Sequence, residues 1–411
     1  MKKLLLSAIL LATTLLSAQE TVTISMGTGY ENDVYFNLSD QTENTYEAAS
    51  WDIAFLRENA QSIGIRVNDG IGIQVFEAAN NASDFDAIDV SNEANWTPLF
   101  NDDTNWDNGA FMQGSATYGW GEYNPVSHHV EGTIVFVLKY TDGTYIKFIN
   151  EDYFGGYTFK YATWNGTDWV NETTETVSNA NNPETRYNYY SLQNNEEVIA
   201  EPAVDAWDFV FTKYNTYLDP PGANYIVTGA LHNPGVTVAQ NEEPSGEGDP
   251  NAQEYSEEIN TIGYDWKSFN GTGYDVNSDM AYYIKHSENT IYRVTFTNFE
   301  GSSTGNITFD MEDVSDILGI ENVTNEVSFG MYPNPSQNKK VNIVYDINTF
   351  NTAENKIEIY DSNGRNVFST YVSQSEGFYN KQLDLTPLQN GIYFVAFTNG
   401  DNRTTKKLIL N

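Results

Sequence analysis

The chain of 411 residues contains an internal repeat, which constrains its fold strongly because each copy must build the same supersecondary unit. Four short blocks occur in the same order in both copies. The first copy has YFNL at 35–38, WDIAF at 51–55, GWGEYN at 119–124 and TYIKF at 144–148. The second copy has YYSL at 189–192, WDFVF at 207–211, DWKSFN at 265–270 and IYRVTF at 291–296. One such match could arise by chance, but four in order indicate a tandem duplication.

Both copies are predicted to be β-structure. The 28 Tyr and 22 Phe, together with many Val and Thr, favour strands over helices. Residues 133–148 are expected to form a hairpin around Asp142-Gly143, a dipeptide typical of hairpin turns. A second hairpin is expected at residues 281–296. We therefore predict an all-β chain that begins with two tandem β-rich domains.

Charge divides the chain into two unlike parts. The whole chain has a formal net charge of −37, from 57 acidic and 20 basic residues. Residues 325–411 carry eight acidic and eight basic residues, so residues 19–324 hold a net charge of −39. Such acidity opposes binding to nucleic acid. The absence of cysteine excludes disulfides, thiolate metal sites and cysteine nucleophiles.

The repeat and the change in charge predict three modules and two linkers. Their boundaries are 19–170 for the first repeat, 171–186 for a linker, 187–318 for the second repeat, 319–328 for a second linker and 329–411 for the last module. Residues 171–183 and the acidic segment 240–258 have a composition too polar to bury much apolar surface. We expect both segments to be unstructured.

Residues 1–18 have the layout of a secretory signal peptide. Lys2 and Lys3 precede an apolar run from Leu4 to Leu16, and cleavage is predicted after Ala18. The run is shorter than the roughly 20 residues that a membrane-spanning helix needs. No later segment of the sequence is apolar enough to span a bilayer. We therefore predict that the protein is exported.

The last module resembles the type A C-terminal sorting domain of the type IX secretion system. The blocks MYPNPS at 331–336, IEIYDSNGR at 357–365, LDLTPLQNGIYFV at 383–395 and KKLILN at 406–411 carry this resemblance. The residues that match its motifs are Tyr332, Pro333, Asn334, Pro335, Gly364, Gly391, Tyr393, Lys406 and Lys407. The resemblance implies a small immunoglobulin-like β-sandwich of about seven strands. It also implies recognition by the type IX translocon, followed by secretion or attachment to the outer-membrane surface.

The two repeats are similar to the HmuY-like family, whose best-known members are secreted or outer-membrane-attached haem carriers. The WDxxF blocks, the aromatic strand before each block and the closing strands at 157–161 and 307–311 carry this resemblance. We expect the aromatic residues of the blocks to anchor the core. Asp52 and Asp208 are expected to bond the backbone of a turn. The resemblance implies haem binding by analogy with the family, without evidence from a site.

Haem iron takes axial ligands such as His or Met within an apolar pocket. The first copy offers His128, His129 and Met112, whereas the second copy has Tyr274 and Asp275 where the two histidines would stand. Adjacent residues of a strand point to opposite faces, so the histidines are not expected to share one iron unless a loop turns them. The alternative is that all three are surface or packing residues. The acidic surface also opposes the haem propionates.

A second candidate site lies between the blocks of the first copy. Asp103, Asn105 and Asp107 place oxygen ligands at alternate positions, as calcium-binding loops do. Gly109 falls one place late for the usual loop, and no acidic residue follows at the expected distance. A turn rich in Asp and Asn is therefore the alternative to a calcium site.

The leading hypothesis for function is a non-enzymatic binding protein, secreted or held at the cell surface, with haem as the expected ligand. The alternative is a structural or adhesive surface protein that binds glycan or protein and has lost haem binding. A hydrolase is the third hypothesis. No Ser-His-Asp order, phosphate-binding glycine loop or HExxH motif stands out in the sequence to support it.

Overall fold

The computed structural model describes residues 19–57, 63–286, 290–315, 329–347, 355–361, 364–372, 377–399 and 402–411. The chain divides into two compact units, residues 1–317 and 318–411. The predicted signal peptide at 1–18 and the predicted linker at 319–328 lie outside the described residues. The first unit contains two large apolar cores, and the second unit has a core of its own.

The described part of the first unit consists mainly of strands, as the all-β prediction requires. These strands are β1 Glu20–Ser25, β2 Asn32–Phe36, β3 Glu43–Glu47, β4 Ile53–Leu56, β5 Ile65–Val67, β6 Gln74–Ala79, β7 Thr97–Leu99, β8 Gly121–Tyr123, β9 Val130–Gly132, β10 Val135–Lys139, β11 Tyr145–Tyr153, β12 Gly156–Trp164, β13 Trp169–Ser178, β14 Tyr187–Ser191, β15 Glu196–Val198, β16 Phe209–Leu218, β17 Ala223–His232, β18 Val236–Glu242, β19 Lys267–Phe269, β20 Tyr274–Val276, β21 Met280–His286, β22 Ile291–Phe299 and β23 Asn306–Asp313. Short 3-10 helices span Ala48–Ser50, Asp69–Ile71, Ala82–Ala87, Val90–Asn95, Ala110–Gln113, Pro250–Ala252 and Gly301–Ser303.

Strand pairing shows that the two copies exchange their leading strands, which are β1 to β3 in the first copy and β13 to β15 in the second. The main sheet of the second copy has the order β1-β23-β22-β21-β18, so the N-terminal strand β1 forms its edge. The main sheet of the first copy has the order β13-β12-β11-β10-β6-β7, and β13 stands at the corresponding edge. Two smaller sheets, β15-β14-β4-β5 and β17-β16-β2-β3, each combine strands of both copies.

The exchange is reciprocal at the repeated blocks. Strand β2 pairs with the WDFVF strand β16, with Phe36 opposite Phe209. Strand β14 pairs with the WDIAF strand β4, with Tyr190 opposite Ile53. The two copies are therefore equivalent in structure at these blocks, but neither copy completes its own sheets.

The two apolar cores follow from this exchange. The first core is formed by side chains between residues 53 and 177, joined by Tyr190 and Leu192 of the second copy. The second core is formed by side chains between residues 209 and 311, joined by side chains between residues 24 and 38. Consequently, the cores do not coincide with the predicted repeat boundaries, because each contains residues from both copies.

Both predicted hairpins are confirmed. Strands β10 and β11 pair with Lys139 opposite Tyr145, and Gly143 has the positive φ of 88° that the Asp-Gly turn requires. Strands β21 and β22 pair in the same way, with Lys285 opposite Ile291. The buried Trp120 and Trp266 occupy equivalent places in the two cores, and both are fully buried.

The prediction that residues 171–183 are unstructured is wrong. Most of this segment belongs to β13, which pairs with β12 along nearly its whole length. An edge strand with one exposed face needs few apolar residues, so its Thr-rich and Glu-rich composition is compatible with a sheet. Cross-strand contacts such as Thr158 with Thr176, whose hydroxyl oxygens lie 2.9 Å apart, support the pairing.

The prediction that the acidic segment 240–258 is unstructured is also wrong. Strand β18 extends to Glu242, and the next residue, Glu243, has a side chain that is 3% exposed. Arg293 donates to Glu243 through both Nε (2.9 Å) and Nη2 (2.6 Å). Gly248 N also donates to the same carboxylate at 2.8 Å. A basic partner distant in sequence thus orders an acidic segment whose own composition favoured disorder.

The second unit is a sandwich of two antiparallel sheets, as predicted. Its described strands are β24 Phe329–Tyr332, β25 Lys340–Ile347, β26 Lys356–Asp361, β27 Asn366–Tyr371, β28 Gly377–Asp384, β29 Gly391–Asn399 and β30 Asn402–Leu410. One sheet has the order β24-β25-β28 and the other β27-β26-β29-β30. Alternate side chains of both sheets fill one core.

Candidate functional site

The turn between β8 and β9 contains His128 and His129 and gives their rings different partners. His128 adopts a left-handed backbone conformation with φ of 63°, and its Nδ1 lies 2.7 Å from the hydroxyl of Tyr123. His129 Nδ1 lies 2.8 Å from Asp152 Oδ1. The His129 ring stacks on Phe154, with ring centroids 4.5 Å apart. Both histidines thus belong to a partly exposed surface turn.

Met112 lies in the short helix Ala110–Gln113 and packs against the first core. Four cavities of the first unit have none of Met112, His128 and His129 in their walls. Haem binding through these three residues stays a prediction from family resemblance.

The side chains of the candidate calcium ligands form hydrogen bonds and an ion pair within the protein. Asp103 Oδ2 accepts a hydrogen bond from the Thr216 hydroxyl. Asn105 Oδ1 accepts from Asp107 N at 2.7 Å, as in an Asx turn, and Asp107 forms an ion pair with Arg186. Among the described residues, no group of three or more His, Asp and Glu is placed to hold a metal ion. Calcium binding at this loop stays a prediction.

The Trp of each WDxxF block packs edge-on against a Tyr from the leading strand of the other copy. The ring centroids of Trp51 and Tyr189 are 4.9 Å apart, and those of Trp207 and Tyr35 are 5.0 Å apart. Trp207 is buried and Trp51 is half-buried. These contacts give the two residues the anchoring role that their pattern predicts.

The Asp that follows each Trp bonds the backbone of the exchanged segment. Asp208 Oδ2 accepts from Leu38 N at 2.6 Å, and Asp52 Oδ2 accepts from Gln193 N at 3.2 Å. Both carboxylates are buried. The predicted role of these aspartates in bonding the backbone is confirmed, and the bonded backbone belongs in each case to the other copy.

A cavity of about 530 Å³ opens beside Asp208. We call it the Asp208 cavity. Asn37 and Ser39 of the first copy contribute to its wall, together with Trp207, Asp208 and His286 of the second copy. The cavity is therefore a composite site that exists only because the leading strands are exchanged.

The corresponding place in the first copy has different side chains at several positions, among them Ser191 where the second site has Asn37. Where His286 Nε2 lies 3.4 Å from Asp208 Oδ1, the first copy has Tyr140 beside Asp52. Tyr140 follows β10 and His286 ends the equivalent strand β21, and the backbone N–H of each closes the same kind of turn at 2.9 Å. Where the second site has Ser39, the first has Gln193, whose Nε2 reaches Asp52 Oδ1 at 3.4 Å.

The charged groups of the Asp208 cavity are largely compensated within the protein. Burial raises the pKa of Asp208, and the neighbouring His286 partly offsets this effect. Arg186 also lines the cavity, but its guanidinium is ion-paired with Asp107. Asp205 adds an exposed carboxylate at the rim. Because Asp107 compensates the positive charge of Arg186, this guanidinium does not attract an anion to the cavity.

Buried nitrogen atoms of this wall, among them Trp207 Nε1 and His286 Nε2, have no hydrogen-bond partner among the described residues. The indole Nε1–H of Trp207 is buried without a hydrogen-bond partner there, and Trp207 lines the cavity. Reasoning from the sequence missed this site because Ser39, Trp207 and His286 are far apart in the chain. A signal was present nonetheless, since Ser39 and His286 are positions at which the two copies differ.

The motif residues of the second unit support its fold. Asn334 Nδ2 donates to Lys407 O at 2.8 Å, and its Oδ1 accepts from Ile409 N at 2.9 Å, which ties the Pro-Asn-Pro turn to β30. The Tyr393 hydroxyl donates to Gln389 O at 2.9 Å. Gly364 forms the turn after β26 with φ of 75°. Lys406, Gly391 and the exposed Tyr332 lie on the strands of the same sandwich, with Pro333 and Pro335 in its first turn.

Residues 330–411 match the model of a protein family described as the secretion system C-terminal sorting domain. This match confirms the assignment of the second unit to type IX sorting domains. The protein is thus exported through the type IX secretion system and is either secreted or attached to the cell surface. No curated protein matches the chain. Within the described residues, the structure has no helix of the length and apolar character needed to cross a membrane.

Proposed function

We propose that the first unit is a non-enzymatic binding module that the sorting domain delivers to the outside of the cell. The observation that carries this proposal is the Asp208 cavity, which lies where the second copy departs from the first. Its volume of about 530 Å³ falls within the roughly 300–1,000 Å³ typical of small-molecule sites. The surrounding polar groups of Asp208 and Asn233 bond the backbone, so they position the wall of the cavity.

The test of this proposal uses the mature chain from Gln19 and a variant with the cavity filled. Ser39→Gln introduces the side chain that the equivalent position of the first copy already carries, so we expect the variant to fold. We expect at least one compound from a panel of haemin, short peptides and neutral saccharides to raise the melting temperature of the parent but not of Ser39→Gln. A panel without any stabilising compound, or a stabilisation that persists in Ser39→Gln, would contradict the proposal.

Haemin provides a separate prediction for the family resemblance. The resemblance predicts a saturable change in Soret absorbance when the mature chain is titrated with haemin, and a flat titration would contradict haem binding. His128→Ala, His129→Ala and Met112→Ala serve as matched variants. A saturable change that one of these substitutions abolishes would make the protein a haem carrier with its site in the first copy.

A further inference from the structure

We propose that the open edge of β17 binds an extended peptide segment of a partner protein, which adds a strand to the sheet β17-β16-β2-β3. This site is separate from the Asp208 cavity, so the inference goes beyond the proposed function and does not depend on it. Three observations carry it: exposed residues with outward-facing backbone groups, a cavity beside them, and an edge sequence unlike that of the other edge strands.

Alternate residues of β17 point their backbone groups away from the neighbouring strand β16. Ala230 exchanges two hydrogen bonds with Gly263, of 2.9 and 3.1 Å. Two residues further on, His232 N donates to Ile259 O at 2.8 Å. The protein's own chain thus covers the last part of β17 on this side, and it does so by backbone pairing.

The first part of the same edge is open. By the alternation of an antiparallel ladder, the backbone groups of Asn224, Ile226 and Thr228 face the same side as those of Ala230. Thr228 O indeed accepts from Lys267 Nζ at 2.6 Å on this side. Asn224 and Ile226 are exposed, and within the described residues β16 is the only strand that pairs with β17. Their N–H and C=O groups can therefore bond an added strand.

The open stretch of β17 lacks the features that protect other edge strands from pairing. Exposed edges of soluble proteins usually carry charged side chains or proline. Residues 223–229, with the sequence ANYIVTG, have neither. Every other described strand at a sheet edge of the first unit contains at least one, such as Glu43 and Glu47 in β3, the opposite edge of the same sheet. This exception indicates that the β17 edge is kept open for a partner.

A cavity of about 420 Å³ lies beside the open stretch. Asn224 and Ile226 line one side of it, and Ile73, Leu99 and Phe100 of the first copy line another. Side chains of a strand alternate between the two faces of a sheet. A strand added to β17 would therefore direct every second side chain toward the cavity, whose aliphatic and aromatic wall fits an apolar side chain.

Charge defines the ends of the peptide. The cavity wall has one charged residue, Asp69, whose carboxylate accepts from Asn101 Nδ2 at 2.9 Å. Residues 19–324 carry a net charge of −39, which attracts basic segments and repels acidic ones. The partner segment is thus an extended stretch with apolar side chains at alternate positions and basic residues beside them.

The experiment titrates the mature full-length chain with three fluorescein-labelled heptapeptides and follows their fluorescence anisotropy. Their sequences are Lys-Thr-Phe-Thr-Phe-Thr-Lys and the same peptide with Leu or Val in place of Phe. A second version of each has all internal amides N-methylated, so that its side chains are kept and its backbone donors are lost. We expect at least one heptapeptide to bind saturably and its N-methylated version to bind at least about tenfold more weakly, the effect of several lost hydrogen bonds.

Protein variants locate the binding. Asn224→Pro removes one outward N–H, and proline is tolerated in an edge strand where the N–H faces solvent. This variant should weaken binding by about fivefold to tenfold. Phe269→Ala, which removes a side chain that is 65% exposed on another edge strand, should leave binding unchanged, and so should Ser39→Gln. The melting temperature checks the fold of each variant, and the N-methylated peptides test backbone pairing on the parent chain if Asn224→Pro does not fold.

Four outcomes would overturn the inference. The first is failure of all three heptapeptides to bind. The second is equal binding of the N-methylated versions, because backbone pairing would then not hold the peptide. The third is binding that is lost in Ser39→Gln, which would place the peptide in the Asp208 cavity. The fourth is a dimer of the parent in sedimentation that Asn224→Pro dissociates, because a second copy would then cover the β17 edge.

Discussion

A mature chain that begins at Gly27 instead of Gln19 is expected not to fold its first unit. The missing segment contains β1, which pairs with β23 from Glu20 opposite Met311 to Ser25 opposite Asn306. It also contains Ile24 and Met26, which are fully buried in the second core. Loss of these side chains and of an entire edge strand should lower the free energy of unfolding far more than one core substitution does. The small net stability of a folded protein cannot offset such a loss. Near-UV circular dichroism and resistance to protease measure the outcome.

Single substitutions in β1 distinguish the contribution of its core side chains to stability from the contribution of the strand itself. Ile24→Ala should lower the free energy of unfolding by about 3 kcal/mol, as large-to-small changes in a packed core do. Thr23→Ala, at an exposed position of the same strand, should change it by less than about 0.5 kcal/mol. A chain starting at Gly27 that keeps the circular dichroism and melting temperature of the parent would show that β1 is dispensable.

Glu201→Gln is expected to stabilise the protein at pH 8 but not at pH 4.5. Glu201 is 3% exposed, and its carboxylate accepts from Tyr187 N at 2.7 Å and from the Tyr189 hydroxyl at 3.0 Å. Burial raises the pKa of Glu201 to about 7. The unfolded chain, with the ordinary pKa of 4.5, releases this proton earlier. Stability is therefore lost as the pH rises from 4.5 to 7, and the loss is complete above pH 7.

The difference of the two pKa values corresponds to about 3 kcal/mol for the parent. Glutamine has no proton to release, so the free energy of unfolding of Glu201→Gln should exceed that of the parent by roughly this amount at pH 8. Urea unfolding at a series of pH values measures it. Glu196→Gln, which removes the same charge from an exposed position, should follow the parent at every pH. If the free energies of unfolding of the parent and of Glu201→Gln changed in parallel with pH, the Glu201 carboxyl would not titrate in this range.

The sequence was sufficient to predict both hairpins but not the partners of strands that are distant in the chain. The strand-favouring residues at 133–148 and the Asp142-Gly143 turn predicted the hairpin of β10 and β11, because both signals act between neighbours in the chain. The pairing of β2 with β16 joins strands that are distant in sequence, and side-chain period does not specify which strand is adjacent. Strand exchange therefore could not be derived from the repeat pattern.

Composition was misleading where a distant partner determines the structure. The acidic segment 240–258 contains no base, yet Arg293 on β22 holds Glu243 through two hydrogen bonds to one carboxylate oxygen, Oε2. The candidate site was missed for the same reason, since Ser39 and His286 meet only in the folded chain. The histidines at 128 and 129, which are conspicuous in the sequence, lie in a surface turn instead.

The reciprocal exchange of leading strands has a consequence for how the two sites could come to differ. Each site takes one wall from each copy, just as the two sites of a strand-exchanged homodimer would take one wall from each subunit. In a homodimer every substitution appears in both sites, so the sites must remain identical. Fusion of both copies into one polypeptide removes that restriction. Ser39 and His286 could then change independently of Gln193 and Tyr140, leaving one site to bind a ligand and the other to hold the fold together.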